Sequence, residues 1–483
     1  MWQDATAPQE AGAPLFVAGP TVLARALVAA GMVALFARTP AFADVSLELD
    51  ATKGQPPSLF SDGMVLQRET SVPIWGKAGS GESVSVSIHG QTKTAVTADN
   101  GTWRVELDPL EAGGPYQMTI SGNNTITIDD VLIGDVWICA GQSNLVIRRT
   151  PQNDLDQYPN IHTMGRSGTW TERPSAMAFA FGRELHLDVE VPIGLVNRAA
   201  GGTAIKNWLS PSAISDPDPD VQSIVAVWDD WGDEYQRQIQ PLAGYAIRGV
   251  LYWQGEQDLK VARQKPGTIE HYHELLPALI RSWRADWQSG NIPFVVVQLP
   301  TGGGLQSGQT PTPLPELPPE PGIAVNMRQA TFNGISEPAT ALAVSVDIEG
   351  SVHPKDHDLY GYRLAAAALG TAYGYSFEYS GPIYSSMTIE DGNRVRLKFR
   401  TNTADGLHAL GGPLAGFSIS GNGTDFVWAQ AEIQGDEVVV WNDAVASPSV
   451  VHYAWDHRPT WANLFNVADL GAAPFSSTET PAP

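Results

Sequence analysis

Asp135-Val-Trp-Ile-Cys-Ala-Gly-Gln-Ser-Asn144 runs a short apolar stretch into a glycine and then a serine. An apolar run of this length reads as a buried strand, and Gly141 eases a turn directly after it. The turn would place Ser143 at the carboxyl edge of a sheet. There the hydroxyl can attack a carbonyl while the residue's own N–H helps hold the developing oxyanion. Three further apolar runs of strand length follow, at 191–196, 247–252 and 293–298. Between the runs lie stretches with helical patterning, at 176–187, 221–240 and 272–287. Buried strands alternating with helices predict an α/β unit with a parallel sheet over 129–373. In such sheets the reactive groups gather at the carboxyl ends of the strands.

The flanks have a different character. Residues 83–88, 103–107 and 116–120 alternate polar with apolar and are separated by turn clusters, which predicts a small β-sandwich over 44–128. Strand patterning returns at 394–399, 417–420 and 437–441, predicting a β domain over 374–483. The Gly- and Pro-rich stretch 301–321 is a surface insertion or part of a binding rim.

The chain has 29 basic against 52 acidic residues, a net charge of −23. A nucleic-acid binder needs a basic footprint to neutralise phosphates, so that class is set aside. The single cysteine, Cys139, excludes an intramolecular disulfide and a multi-cysteine zinc site; in its apolar run it reads as a buried strand thiol. An apolar stretch at 26–37, preceded by Arg25 and followed by Ala41-Phe42-Ala43, has the layout of a secretory signal peptide over 1–43. The run is too short to span a bilayer. A periplasmic or secreted protein is expected, without membrane attachment after cleavage.

Three other blocks end strands on reactive or permissive residues. Val191-Pro-Ile-Gly-Leu-Val-Asn-Arg-Ala-Ala-Gly-Gly-Thr203 brings Gly201 and Gly202, whose main-chain N–H groups can approach a ligand closely. Val250-Leu-Tyr-Trp-Gln-Gly-Glu-Gln-Asp258 offers Gln254 as an amide donor, and Glu256 to orient a histidine or bind a sugar hydroxyl. Val346-Asp-Ile-Glu-Gly-Ser-Val-His-Pro354 contributes His353, which must reach the serine to serve as base and then as acid.

Gly-Gln-Ser-Asn, Gly-Gly-Thr, Gln-Gly-Glu and His-Pro, in this order, resemble the sialate O-acetylesterase family of SGNH-type hydrolases. Leu59-Phe-Ser-Asp-Gly-Met-Val-Leu-Gln67 with Val72-Pro-Ile-Trp-Gly76 resembles the family's N-terminal region. Val451-His-Tyr-Ala-Trp455 with Ala462-Asn-Leu-Phe-Asn466 resembles its C-terminal region. The resemblance implies a three-layer parallel-sheet hydrolase domain flanked by an N-terminal β-sandwich and a C-terminal β domain. It implies Ser143 as nucleophile and His353 as general base. The oxyanion would be held by the Ser143 N–H, by Gly201 or Gly202, and by the Gln254 side chain. It implies an acetylated carbohydrate as substrate, an acetyl-enzyme intermediate, and no metal or organic cofactor.

The chain departs from the family pattern at two places. Leu145 stands where relatives often carry Met, and Ser351 where many carry an Asp two residues before the histidine. The group that steadies His353 is therefore open: Glu256, Asp347, a backbone carbonyl, or no third member. Asn144, Arg148 and Arg149 follow the nucleophile closely and are candidates for substrate binding. The two arginines would either grip a sialic acid carboxylate or face solvent. The 15 Trp residues also suit stacking on neutral polymers such as acetylated xylan, so the sugar stays open. A carbohydrate-binding protein with a decayed catalytic set is the alternative from another class.

Overall fold

The stretch that ends on Ser143 belongs to a 17-residue strand, β1 (Thr125–Gly141). The computed structural model describes residues 44–47, 59–147, 150–170, 172–228, 230–262, 269, 271–299, 309–348, 352–390 and 392–478. The expected signal segment therefore lies outside the described residues, as do Arg148, Arg149 and Ser351. From Val131 onward every residue of β1 is buried, as a strand covered on both faces must be.

Parallel strands flank β1 on both sides. β2 (Ile161–Met164) and β3 (Ile193–Asn197) lie on one side, with β3 against β1. β4 (Gly249–Trp253), β5 (Phe294–Val297) and β6 (Thr340–Ala343) follow on the other. The order is 2-3-1-4-5-6. The chain leaves β1 to one side and later crosses to the other, so the carboxyl end of β1 is the switch point where open α/β sheets hold ligands.

Successive side chains along these strands point to opposite faces, and each face has its own core. Val136, Ile138, Val250 and Val296 pack with Leu276 and Trp283 of α3 (Tyr272–Trp287) and Met327 and Phe332 of α4 (Ile323–Gly334). Trp137, Cys139, Leu251 and Val295 pack with Phe179 and Phe181 of α1 (Ala176–Val189) and Leu364 of α5 (His357–Ala372). The result is helix, sheet, helix. A short α2 (Glu256–Ala262) starts just past β4. The periodicity of 221–240 predicts one helix, but the structure breaks it into Pro219–Ala226 and a π-turn at Tyr235–Ile239. Gly232 turns the chain between them with φ +72° and donates its N–H to the Lys206 carbonyl, which continuous helix forbids.

The lone acid in the run, Asp135, is fully buried but not unpaired. It receives Arg68, Arg248, Gln67 and the Tyr373 hydroxyl, and these partners hold its carboxyl below the usual range despite burial.

The first half of β1 belongs to a β layer as well. It pairs antiparallel with Gly113–Ser121, which continues to Ser83–Ile88 and Gln91–Val96. A second sheet, Val72–Lys77 with Thr102–Leu107, supplies Ile74 and Val105 to the same core as Val84 and Val86. One strand thus ties this layer to the sheet that carries Ser143. Beyond α5, two four-stranded antiparallel sheets enclose Val395, Val438, Phe417, Val451 and Phe475.

Candidate active site

Gly141 closes β1 at φ +124°, and a Cβ there would run into the Trp253 carbonyl. The chain can turn only because that atom is missing. Gln142 N–H donates to the Trp253 carbonyl and Ala200 N–H to the Gly141 carbonyl, both at 2.8 Å. These bonds draw the ends of β1, β3 and β4 together before one 3₁₀ turn, Ser143–Leu145. Asn197 secures the far side of the turn, its Nδ2 donating to the Leu145 carbonyl at 2.6 Å.

At this turn Ser143 Oγ lies 2.8 Å from His353 Nε2. The two residues are separated by 210 positions and brought together by the loop between β6 and α5. Gly201 abuts the serine: a Cβ built on it would sit 3.7 Å from Ser143 Cβ. Gly202 has φ +77° and faces open space. Among the described residues, no backbone carbonyl accepts from the main-chain N–H of Ser143, Gly201 or Gly202.

Asn144 and Glu256 form a strut beneath this pair. Asn144 is 5% exposed. Its Nδ2 donates to Glu256 Oε1 at 2.8 Å and to the Val352 carbonyl at 3.1 Å. Both amide hydrogens are spent inside the protein, so Asn144 has none to give a substrate. The Trp253 indole N–H also donates to Glu256 Oε1, at 2.9 Å. Glu256 is thus joined to the residue preceding His353 through Asn144, rather than through the imidazole as one reading of the sequence had it. Its Oε2 is buried without a partner, and burial pushes the carboxyl up to about 7.

Two further expectations are corrected. Gln254 was a candidate oxyanion donor, but it is 1% exposed. Its amide donates to Gln142 Oε1, the Thr203 carbonyl and Asp258 Oδ2, while its own Oε1 accepts from Tyr272 at 2.9 Å. With three acceptors for two hydrogens, nothing is left for a ligand. Asp347 was a candidate partner for His353; instead both its oxygens face Arg363, at 2.5 and 3.2 Å. A buried carboxylate takes the nearest full charge, and that is a guanidinium.

Sequence reasoning passed over Gln142 and Asp258. Gln142 Oε1 accepts from Gly255 N, Gln254 Nε2 and Gln257 N at 2.9, 3.2 and 3.3 Å, binding the serine turn to the start of α2. Asp258 takes the Ile205 N–H at 3.0 Å, and burial pushes its carboxyl up to about 6. The available signal was their place inside two motifs whose other members drew attention. Among the described residues, no three His, Cys, Asp or Glu side chains gather as metal ligands would.

The raised carboxyl of Glu256 has a measurable consequence. Its folded value near 7 exceeds the ordinary 4.5, so its contribution to stability is full below pH 4.5 and lost as pH rises through 7. The full loss is on the order of 3 kcal/mol. Urea unfolding of Glu256→Gln at pH 5 and pH 8 should show a smaller drop between the two than the parent. Equal drops in both proteins would refute a buried, proton-binding Glu256.

A family model described as carbohydrate esterase, sialic acid-specific acetylesterase, matches residues 133–313, which holds three of the four sequence blocks. The human sialate O-acetylesterase is 28% identical over 395 residues, covering 68% of this chain and 72% of the relative. A crystal structure of a carbohydrate acetylesterase from Xanthomonas citri matches at 30% identity with TM-score 0.73, over 86% of this chain and 98% of that one. The chain belongs to the sialate O-acetylesterase family. A probable carbohydrate esterase of Arabidopsis thaliana is similar over a shorter stretch, 26% identical across 34% of this chain and 57% of its own. Family membership makes the protein a carbohydrate esterase, a hydrolase of SGNH-type fold.

Proposed function

We propose that the protein is an exported serine esterase that removes O-acetyl groups from sugars through an acetyl-enzyme. The observation that carries this reading is the 2.8 Å contact between Ser143 Oγ and His353 Nε2 at the sheet's switch point. Ser143 Oγ attacks the acetyl carbonyl carbon while its proton passes to His353 Nε2. The carbonyl oxygen becomes an oxyanion beside the main-chain N–H groups of Ser143 and Gly201 or Gly202, which no backbone carbonyl among the described residues occupies. Collapse expels the sugar oxygen, which takes the proton from His353. Water then attacks the acyl carbon and gives a proton to His353, which passes it to Ser143 Oγ as the acyl bond breaks, releasing acetate and restoring the free serine. Export rests on the signal-like layout of residues 1–43.

The reading is tested by labelling with a fluorophosphonate, which reacts only with an activated serine. One adduct per chain is expected, on the peptide containing Ser143, and prior incubation with an acetylated sugar should slow its formation. An unlabelled Ser143, or a label elsewhere, would overturn the mechanism. Comparing acetate release from 9-O-acetyl sialic acid with that from acetylated xylan then identifies the sugar class.

A further inference from the structure

The C-terminal β region and the proline-rich segment after β5 enclose a cleft of about 710 Å³, none of whose lining residues belongs to the Ser143–His353 site. Its size falls within the range of ligand clefts, roughly 300–1,000 Å³. Three rings lie in file along it. Phe426 stacks on His452 with centroids 4.0 Å apart and planes at 16°. His452 stacks on Trp455 at 4.7 Å and 26°. Trp428 joins the lining, and its indole N–H donates to the Pro315 carbonyl at 2.8 Å. Thr312 and Thr460 pair through their hydroxyls at 2.7 Å. These bonds pin the proline-rich wall, whose backbone has little freedom left to lose, so the cleft is formed in advance of any ligand.

The chemistry of the lining selects the ligand. Aromatic faces stack on the apolar C–H face of a pyranose ring, while the polar edges of the same sugar need acceptors. Glu320 and Asp425 supply carboxylates, and among the described residues the cleft is lined by no Lys or Arg. Burial pushes His452 down to about 4, so the central ring is neutral in ordinary buffers. Nothing in the lining compensates an anionic ligand, and two carboxylates repel one.

We infer that this cleft binds an uncharged saccharide chain, as a second carbohydrate site apart from the turn that presents Ser143. The inference goes beyond the esterase reading and does not depend on it.

The full chain carrying Ser143→Ala should be titrated with unacetylated xylohexaose and with cellohexaose, followed by tryptophan fluorescence and calorimetry. At least one hexasaccharide should bind saturably with Kd below about 1 mM. Adding Trp455→Ala or Phe426→Ala should weaken that binding at least tenfold, and N-acetylneuraminic acid should not displace it. Trp455→Phe, which keeps a ring, should restore it. Trp455→Ala alone should hydrolyse 4-nitrophenyl acetate at the parent rate, which separates failure here from failure of the esterase reading. Binding of neither hexasaccharide, binding that both substitutions leave unchanged, or displacement by N-acetylneuraminic acid would overturn the inference.

Discussion

Ser143→Ala is expected to lower kcat/KM toward 4-nitrophenyl acetate by roughly 10⁴–10⁶-fold, with the fold retained. The Oγ contributes one side-chain hydrogen bond, to His353 at 2.8 Å, and the serine is half-buried at the end of β1. Removing it deletes the atom that forms the acyl bond in the proposed mechanism while leaving no cavity in the core, so circular dichroism and Tm should barely move. His353→Ala should cost a similar factor, because the hydroxyl without its base is a weak nucleophile. In the proposed mechanism the two act as one unit. The double variant should therefore be no worse than the poorer single variant, by contrast with the multiplied loss expected of independent residues. A Ser143→Ala protein within tenfold of the parent would place the chemistry elsewhere and overturn Ser143 as the nucleophile.

The parts of this molecule that were legible from sequence are those governed by short-range rules. The tall apolar runs at 293–298 and 135–140 stand out because both faces of those strands are buried, and they match β5 and the last stretch of β1. Helix α3 coincides with its predicted span, 272–287, since the apolar face of a long amphipathic segment is unmistakable. The strands β2 and β6 carry no such signal. Ile161-His-Thr-Met and Thr340-Ala-Leu-Ala are four residues each, at the two ends of the sheet, where one neighbouring strand is missing and strong β-formers are not demanded. The site divides the same way. Candidates for chemistry could be named from motifs, but their hydrogen-bond partners depend on which strand ends lie side by side. Gln254 illustrates this: an amide at a strand end reads as a free donor until Gln142, Thr203 and Asp258 are seen to surround it. Asp347 reads as a triad acid until Arg363, sixteen residues on, is found against it.

Asn144→Ala is the second large effect expected, acting on both stability and rate. Among the described residues its amide joins Glu256 Oε1 to the Val352 carbonyl, and it stands one residue from Ser143. Truncation strips a donor from a buried carboxyl whose other oxygen already has no partner, and frees the carbonyl that anchors the histidine loop. Leaving two polar groups short of a donor costs roughly 2–5 kcal/mol in stability. Loosening His353 by about an ångström against Ser143 costs on the order of 10²-fold in kcat, with KM little changed because no amide hydrogen of Asn144 is free for substrate. Asn144→Leu, which fills the volume but donates nothing, should show the same rate loss and so distinguish the hydrogen bonds from packing. The sharper measurement is a double-mutant cycle with Glu256→Gln. If Asn144 works by joining Glu256 to the histidine loop, losing one end makes losing the other cheaper, and the cycle should show a coupling of about 1–3 kcal/mol. Additive losses would mean that Asn144 and Glu256 support the site separately, and the strut would have to be abandoned as the reason this family member holds its histidine without an Asp at position 351.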